Sequence, residues 1–301
     1  MSPSAKVATV ESFSLGEGPH WDPVRSQLLW VDINNGTVYV GVLRADDTIR
    51  VISRVHVDDT VGAVVVSEDG DWLVAGRHRL IVRRSDGSTI PFAETIHHAS
   101  RFNDGKVDPY GRFVVGTLAL SEATASERLS RVEADGTLSK IDDDLTLSNG
   151  LAWSADGTLL YSVDTLSRSV YRRTYDAQTG RSGPREVFLS FEEGHPDGMT
   201  IDVEDHLWVA MWGLGEVRRY SPAGQLAASI AVPAPHTSSV AFAGLELDTL
   251  VITTATQDLD EQALLDFPFS GRLFTAKPGV RGLPQPPWNG RPNPLLTERI
   301  K

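Results

Sequence analysis

The sequence predicts an all-β chain folded as a six-bladed β-propeller, and two observations carry that prediction. Six stretches share one grammar: a polar residue or a glycine, a short alternating strand, a turn, and a second strand. In the first five copies the glycines stand at 18, 62, 105, 150 and 198. Their spacings of 44, 43, 45 and 48 fall in the range of roughly 40 to 50 residues expected of a four-stranded propeller blade.

The clearest copy is Ser148-Asn149-Gly150-Leu151-Ala152-Trp153, followed by Asp156-Gly157 and the apolar run 158–163. Apolar side chains recur there with a period of two, and Asp-Gly between two such runs is a strong hairpin signal. In chain order the other copies are Glu17-Gly18-Pro19-His20-Trp21 with strand 28–31, Val61-Gly62-Ala63-Val64 with 72–75, and Asn103-Asp104-Gly105-Lys106 with 113–115. Asp197-Gly198-Met199 with 207–210 and Ser239-Val240-Ala241-Phe242 with 250–253 complete the set. A further strand follows in each unit, at 37–40, 80–84, 129–132, 169–173, 216–220 and 272–275.

The repeats run nearly from end to end, so residues 1–301 are expected to form a single domain. Segment 1–13 contains an early strand, expected to close the ring by pairing beside 272–275. Segments 122–131 and 258–265 carry weak helical character, with Ala, Glu and Leu and no Gly or Pro, and are expected to be loop helices or lids. The proline-rich tail 284–301 is expected to run extended along the outside.

Composition removes several classes of function. A net charge of -12 and a pI near 5.1 disfavour a surface that tracks phosphates, so no nucleic-acid partner is expected. The chain has no cysteine, which excludes disulfides, thiolate catalysis and Cys-ligated metals. Neither a signal-like apolar core in 1–13 nor a membrane-length apolar run occurs, so a soluble, cytoplasmic protein without a membrane partner is expected, as a monomer or weak oligomer.

Equivalent positions of successive blades lie around one axis. The residues before the repeat glycines are Glu17, Val61, Asp104 (with Asn103 beside it), Asn149 and Asp197, and Ser239 heads the sixth unit. Four of these six positions carry a carboxylate or carboxamide. Carboxylates brought together in a channel repel unless a positive charge lies between them. One divalent cation satisfies that need, and all-oxygen ligands suit calcium, magnesium or manganese, and less diagnostically iron(II) or zinc. The structural alternative is that Asn149 and Asp197 are Asx residues bonded to their own backbone.

The strings Glu17-Gly18-Pro19-His20-Trp21, Arg101-Phe102-Asn103-Asp104-Gly105-Lys106-Val107-Asp108, Ser148-Asn149-Gly150-Leu151-Ala152-Trp153 and Pro196-Asp197-Gly198-Met199 resemble those of the gluconolactonase, regucalcin and senescence-marker-protein family. The stretches 250–254, 271–274 and 279–282 are similar to its bacterial branch, so the likeness covers nearly the whole chain. It implies a metal-holding propeller that hydrolyses a sugar lactone to the aldonic acid. By position it implies Glu17, Asn149 and Asp197 as metal ligands, with Arg101 and Asn103 as substrate contacts. Mammalian members place an acidic contact just after the Gly-Thr that corresponds to Gly116-Thr117; here Leu118-Ala119-Leu120-Ser121 intervenes, and Glu122 is the acid that would take that place.

A metal-bound carboxylate with its second oxygen aimed at water is suited to general base catalysis, which assigns that role to Asp197. His98, His195 and His236 each precede an inner strand and are candidates for lining the same mouth, whereas His20 is expected to pack. Trp21, Trp30, Trp72, Trp153 and Trp208 fall at repeat positions and are expected between blades; Trp212 is the one placed to meet a substrate. Two other functions fit the same residues: a hydrolase of phosphotriesters, fluorophosphates or non-sugar lactones, and a non-catalytic calcium-binding propeller.

Overall fold

The computed structural model describes residues 4–92, 96–121 and 125–290. Its strands form six antiparallel sheets, the blades. From the axis outward, blade 1 is Gly16–Asp22, Gln27–Asp32, Thr37–Leu43 and Ile49–His56; blade 2 is Ala63–Val66, Trp72–Ala75, Leu80–Arg83 and Thr89–Pro91. Blade 3 is Ser100–Val107, Phe113–Ala119, Glu127–Val132 and Leu138–Leu145; blade 4 is Ser148–Trp153, Leu159–Asp164, Ser169–Asp176 and Glu186–Ser190, with Arg181–Ser182 added at one end. Blade 5 is His195–Ile201, Leu207–Trp212, Glu216–Tyr220 and Leu226–Ala231. Blade 6 is Thr237–Ala243, Thr249–Thr254, Phe274–Ala276 and the N-terminal Lys6–Val7.

Each inner strand packs on the next, and Thr237–Ala243 returns to Gly16–Asp22, which closes the ring. The middle strands are covered on both faces by neighbouring blades, so they read as continuous apolar runs instead of alternating ones. Leu250, Val251 and Ile252 are all fully buried in consecutive positions for this reason. Between blades 2 and 3, Val65, Leu73, Phe102, Phe113 and Val115 share one cluster, and Trp30 and Trp208 are fully buried in others. Trp72 is only half-buried, beneath the Arg83 guanidinium.

The N-terminal strand is held by more than its ladder to Phe274–Ala276. Ala8 N–H donates to Leu273 O at 2.8 Å, Leu273 N–H donates to Thr9 Oγ1 at 3.0 Å, and Phe13 is buried at 1% exposure.

The two segments of weak helical character differ. The first, 122–131, forms no helix in its described part: the strand expected at 129–132 begins earlier, at Glu127, and Glu127–Val132 pairs with Phe113–Ala119 as the third strand of blade 3. Residues 122–124 lie outside the described residues. In the other segment a helix does form, α1 at Glu261–Asp266, capped by Asp260, whose Oδ1 accepts from Ala263 N at 2.8 Å.

The proline-rich segment also takes a different course, since it crosses one end of the channel. Gly282 bridges Asp202 of blade 5, Trp288 bridges Ser67 of blade 2, and Gln285 between them faces His20 and Asp104 on the axis. Trp288 is 4% exposed and sits edge-on to Phe92. Residues 291–301 of the tail lie outside the described residues. Among the described residues, no helix is long and apolar enough to cross a membrane.

Candidate active site

In every blade but the second, the head of the inner strand sits on a break in its ladder. In blades 1, 3, 4 and 5 the register shifts between Glu17 and His20, Phe102 and Gly105, Ser148 and Leu151, and Pro196 and Met199. A bulge at these points turns side chains that would alternate between the two blade faces toward the axis. Glycine is needed at these points, though not for a single reason. A Cβ on Gly150 would lie 2.5 Å from Asp197 O, while Gly18 adopts a φ of +51° that side chains rarely tolerate. Gly105 has a different reason, the ring of Phe113 in its own blade at 2.5 Å.

Five of the six candidate site residues, Glu17, Arg101, Asn103, Asn149 and Asp197, line one cavity of about 370 Å³ at this end of the channel. Glu122 lies outside the described residues. Two larger cavities, about 450 and 570 Å³, adjoin the segment 283–290. The first has no carboxylate in its lining and the second has its acids apart from the axis, so chemistry and not size identifies the candidate site.

Asp104 and Ser239, expected at the same point, lie one layer deeper. They line a small space beneath the cavity with Gly18, His20 and Lys106. Neighbouring Asn103 faces the cavity instead. Burial pulls the Lys106 ammonium down to about 8, against the pull of Asp104, and its Nζ donates to Met199 O at 2.8 Å.

Around the cavity every amide and guanidinium is tied. Arg101 Nη1 donates to Phe102 O at 2.9 Å and to Asn103 Oδ1 at 2.8 Å, and Asn103 Nδ2 donates across to Ser148 O of blade 4 at 2.9 Å. Asn149 Nδ2 donates to Thr165 Oγ1 at 3.2 Å. Glu17 Oε2 accepts from Gly18 N–H at 2.8 Å. Asp197 Oδ1, by contrast, is buried and has no hydrogen-bond partner.

The electrostatics are those of excess negative charge. Burial first, and then the charges of Asp197 and Asp104, push the Glu17 carboxyl well above its ordinary range. Burial and Asp104 do the same to Asp197, against hydrogen bonds from Asn149 and Gly198. Burial draws the Arg101 guanidinium down to about 10, opposed by the charges of Glu17 and Asp197. The Arg101 guanidinium and the Lys106 ammonium beside three carboxylates leave a deficit of one positive charge.

A divalent cation fits this donor set on three counts: two buried carboxylates, a neutral amide, and an orphaned buried carboxylate oxygen. Among the described residues no three His, Cys, Asp or Glu side chains gather as a metal site by themselves.

The histidines divide. His195 lines the cavity with Nδ1 3.3 Å from Thr165 O. His236 stands one step back, stacked on Trp212 with centroids 4.1 Å apart and Nδ1 2.8 Å from Gln257 O. Trp212 itself lines the cavity. His98 packs edge-on to His78 and is not part of the lining. His20, beneath the site, is drawn by burial down to about 4 and stays neutral near pH 7.

Sequence reasoning missed Leu15, Ile33, Leu147 and Thr165, all of which line the cavity. Each stands one residue outside a repeat strand, before the inner strand or after the second. Extending the repeat by one position on either side would have found them.

A family model described as SMP-30/Gluconolactonase/LRE-like region matches residues 15–256, which include all the candidate ligands. The chain is 36% identical over 303 residues to regucalcin of Bos taurus, covering 95% of this chain and 99% of that one. To pentonolactonase XacC of Haloferax volcanii it is 35% identical over 254 residues, covering 84% and 85%. Among solved structures, that of a calcium-binding protein, regucalcin from Agrobacterium tumefaciens, superimposes with a TM-score of 0.88 at 29% identity, over 96% of this chain and 98% of that one.

Proposed function

Because the chain belongs to the SMP-30/gluconolactonase/LRE-like family, we propose that it hydrolyses a sugar lactone to the open-chain aldonic acid with the help of one divalent cation held by Glu17, Asn149 and Asp197. The observation that carries this reading is the orphaned Asp197 Oδ1 in a buried, anionic cavity that also contains Glu17 and Asn149. The pentonolactonase among the relatives supports the reaction class, and the calcium-binding relative supports the cation.

When bound, such a cation supplies Lewis acidity for the lactone carbonyl and for water. The chain's own residues do the rest. Asp197 accepts the proton of the attacking water as the C–O bond to the carbonyl carbon forms. As the tetrahedral species collapses, the ring C–O bond breaks and that proton returns to the departing ring oxygen. Arg101, with Nη1 engaged, has other N–H groups available for the developing carboxylate. Asn103 has its oxygen and one amide hydrogen engaged, so it offers one hydrogen to a ring hydroxyl.

The test is to strip cations with a chelator and follow acid release from a panel of aldonolactones during add-back of calcium, magnesium, manganese, iron(II) and zinc. Activity absent after chelation and restored by at least one ion is expected. Full activity in the chelated protein would remove the cation from the proposal, and no acid release with any ion would remove the reaction.

A further inference from the structure

We propose that Thr165 is a positioning residue that locks the Asn149 carboxamide for cation binding, an inference that rests on the reading of Asn149 as a ligand. Thr165 follows the second strand of blade 4 and is 8% exposed in the cavity lining. Its backbone is anchored within blade 4, with its N–H donating to Leu147 O at 3.0 Å and its carbonyl accepting from Arg168 N–H at 3.0 Å. The hydroxyl therefore occupies a fixed point.

Proton counting decides what that hydroxyl does. It has a single proton, and it donates it to the carbonyl of Pro196 at 2.9 Å, a group that can only accept. Toward Asn149, at 3.2 Å, it can then only accept, so the amide must turn its NH2 to Thr165. With its NH2 turned to Thr165, Asn149 has Oδ1 left to offer a cation. Were the hydroxyl absent, nothing in this contact would distinguish the two ends of the amide.

The same hydroxyl joins two blades. Pro196 immediately precedes Asp197, so Thr165 ties the ligand of blade 4 to the backbone that carries the ligand of blade 5. Residues of this kind, which orient a ligand through its other hydrogen-bonding atom, typically cost about 10- to 100-fold in metal affinity when removed.

The experiment measures Mn2+ dissociation constants by isothermal titration, with the melting temperature of the cation-free protein alongside. Thr165→Val keeps shape and removes the hydroxyl; Thr165→Ser keeps the hydroxyl and removes a methyl. The expected result is Mn2+ affinity about 10- to 100-fold weaker in Thr165→Val, wild-type-like affinity in Thr165→Ser, and similar cation-free melting temperatures for the two. Thr165→Ala serves in its place if Thr165→Val does not fold. Unchanged Mn2+ affinity in the hydroxyl-free variant, with Glu17→Gln losing the ion, overturns the role of Thr165 and leaves the site standing. Unchanged affinity in Glu17→Gln overturns the site and this inference with it.

Discussion

Asp197 combines constraints that few surface carboxylates meet: burial, the nearby charge of Asp104, and one oxygen without a partner. As the proposed general base it should be far more sensitive in turnover than in folding. Asp197→Asn is expected to lower kcat by about 10²- to 10⁴-fold in a pH-stat assay. Intact turnover with the ion still bound would assign the base elsewhere. The raised carboxyls of Glu17 and Asp197 have a second consequence, in pH dependence. Without a cation the folded protein holds protons that the unfolded chain releases above the ordinary values of 4.5 and 3.8, so these groups cost stability progressively as pH rises through that region. A bound cation replaces those protons. The increase in melting temperature on adding Mn2+ to the stripped protein is therefore expected to grow from pH 5 to pH 8, and an increment that shrinks with pH would contradict the electrostatic account.

At the scale of elements, the bulged inner strands and the ring closure do most of the positioning. The repeat of polar residue, glycine and alternating strand was legible because period-two patterning and Asp-Gly turns are local signals. The bulges were not. The register shift between Phe102 and Gly105 depends on the partner strand, and across it Asn103 faces the cavity while adjacent Asp104 faces the layer below. The helical reading of 122–131 misled for a related reason, since the strand expected at 129–132 already begins at Glu127, where pairing with Leu138–Leu145 overrides helical propensity. Closure by the N-terminus offers a direct test. Removing residues 1–13 deletes the Lys6–Val7 ladder and the buried Phe13, and since losing one buried Phe typically costs about 3 to 5 kcal/mol, the melting temperature should fall by roughly 5 °C or more. An unchanged melting curve would show that the ring closes without this strand.

At the scale of the whole molecule, six blades bring together Glu17, Asn149 and Asp197, which are separated by up to 180 residues in the chain, and pin them with bonds that cross from blade to blade. That arrangement was legible as soon as the repeat was aligned, because a closed ring makes equivalent positions neighbours whatever their sequence separation. What alignment did not reveal is the floor. The segment from Gly282 to Trp288 passes under the axis, placing Gln285 against His20, and its prolines alone carry no signal of that destination. The central claim is that one divalent cation sits among Glu17, Asn149 and Asp197. Diffraction from Mn2+-soaked crystals at the manganese absorption edge tests it most directly: the account predicts a single strong anomalous peak within bonding distance of one oxygen from each of the three side chains, and a map with no peak there, or with the manganese bound elsewhere in the molecule, would contradict it.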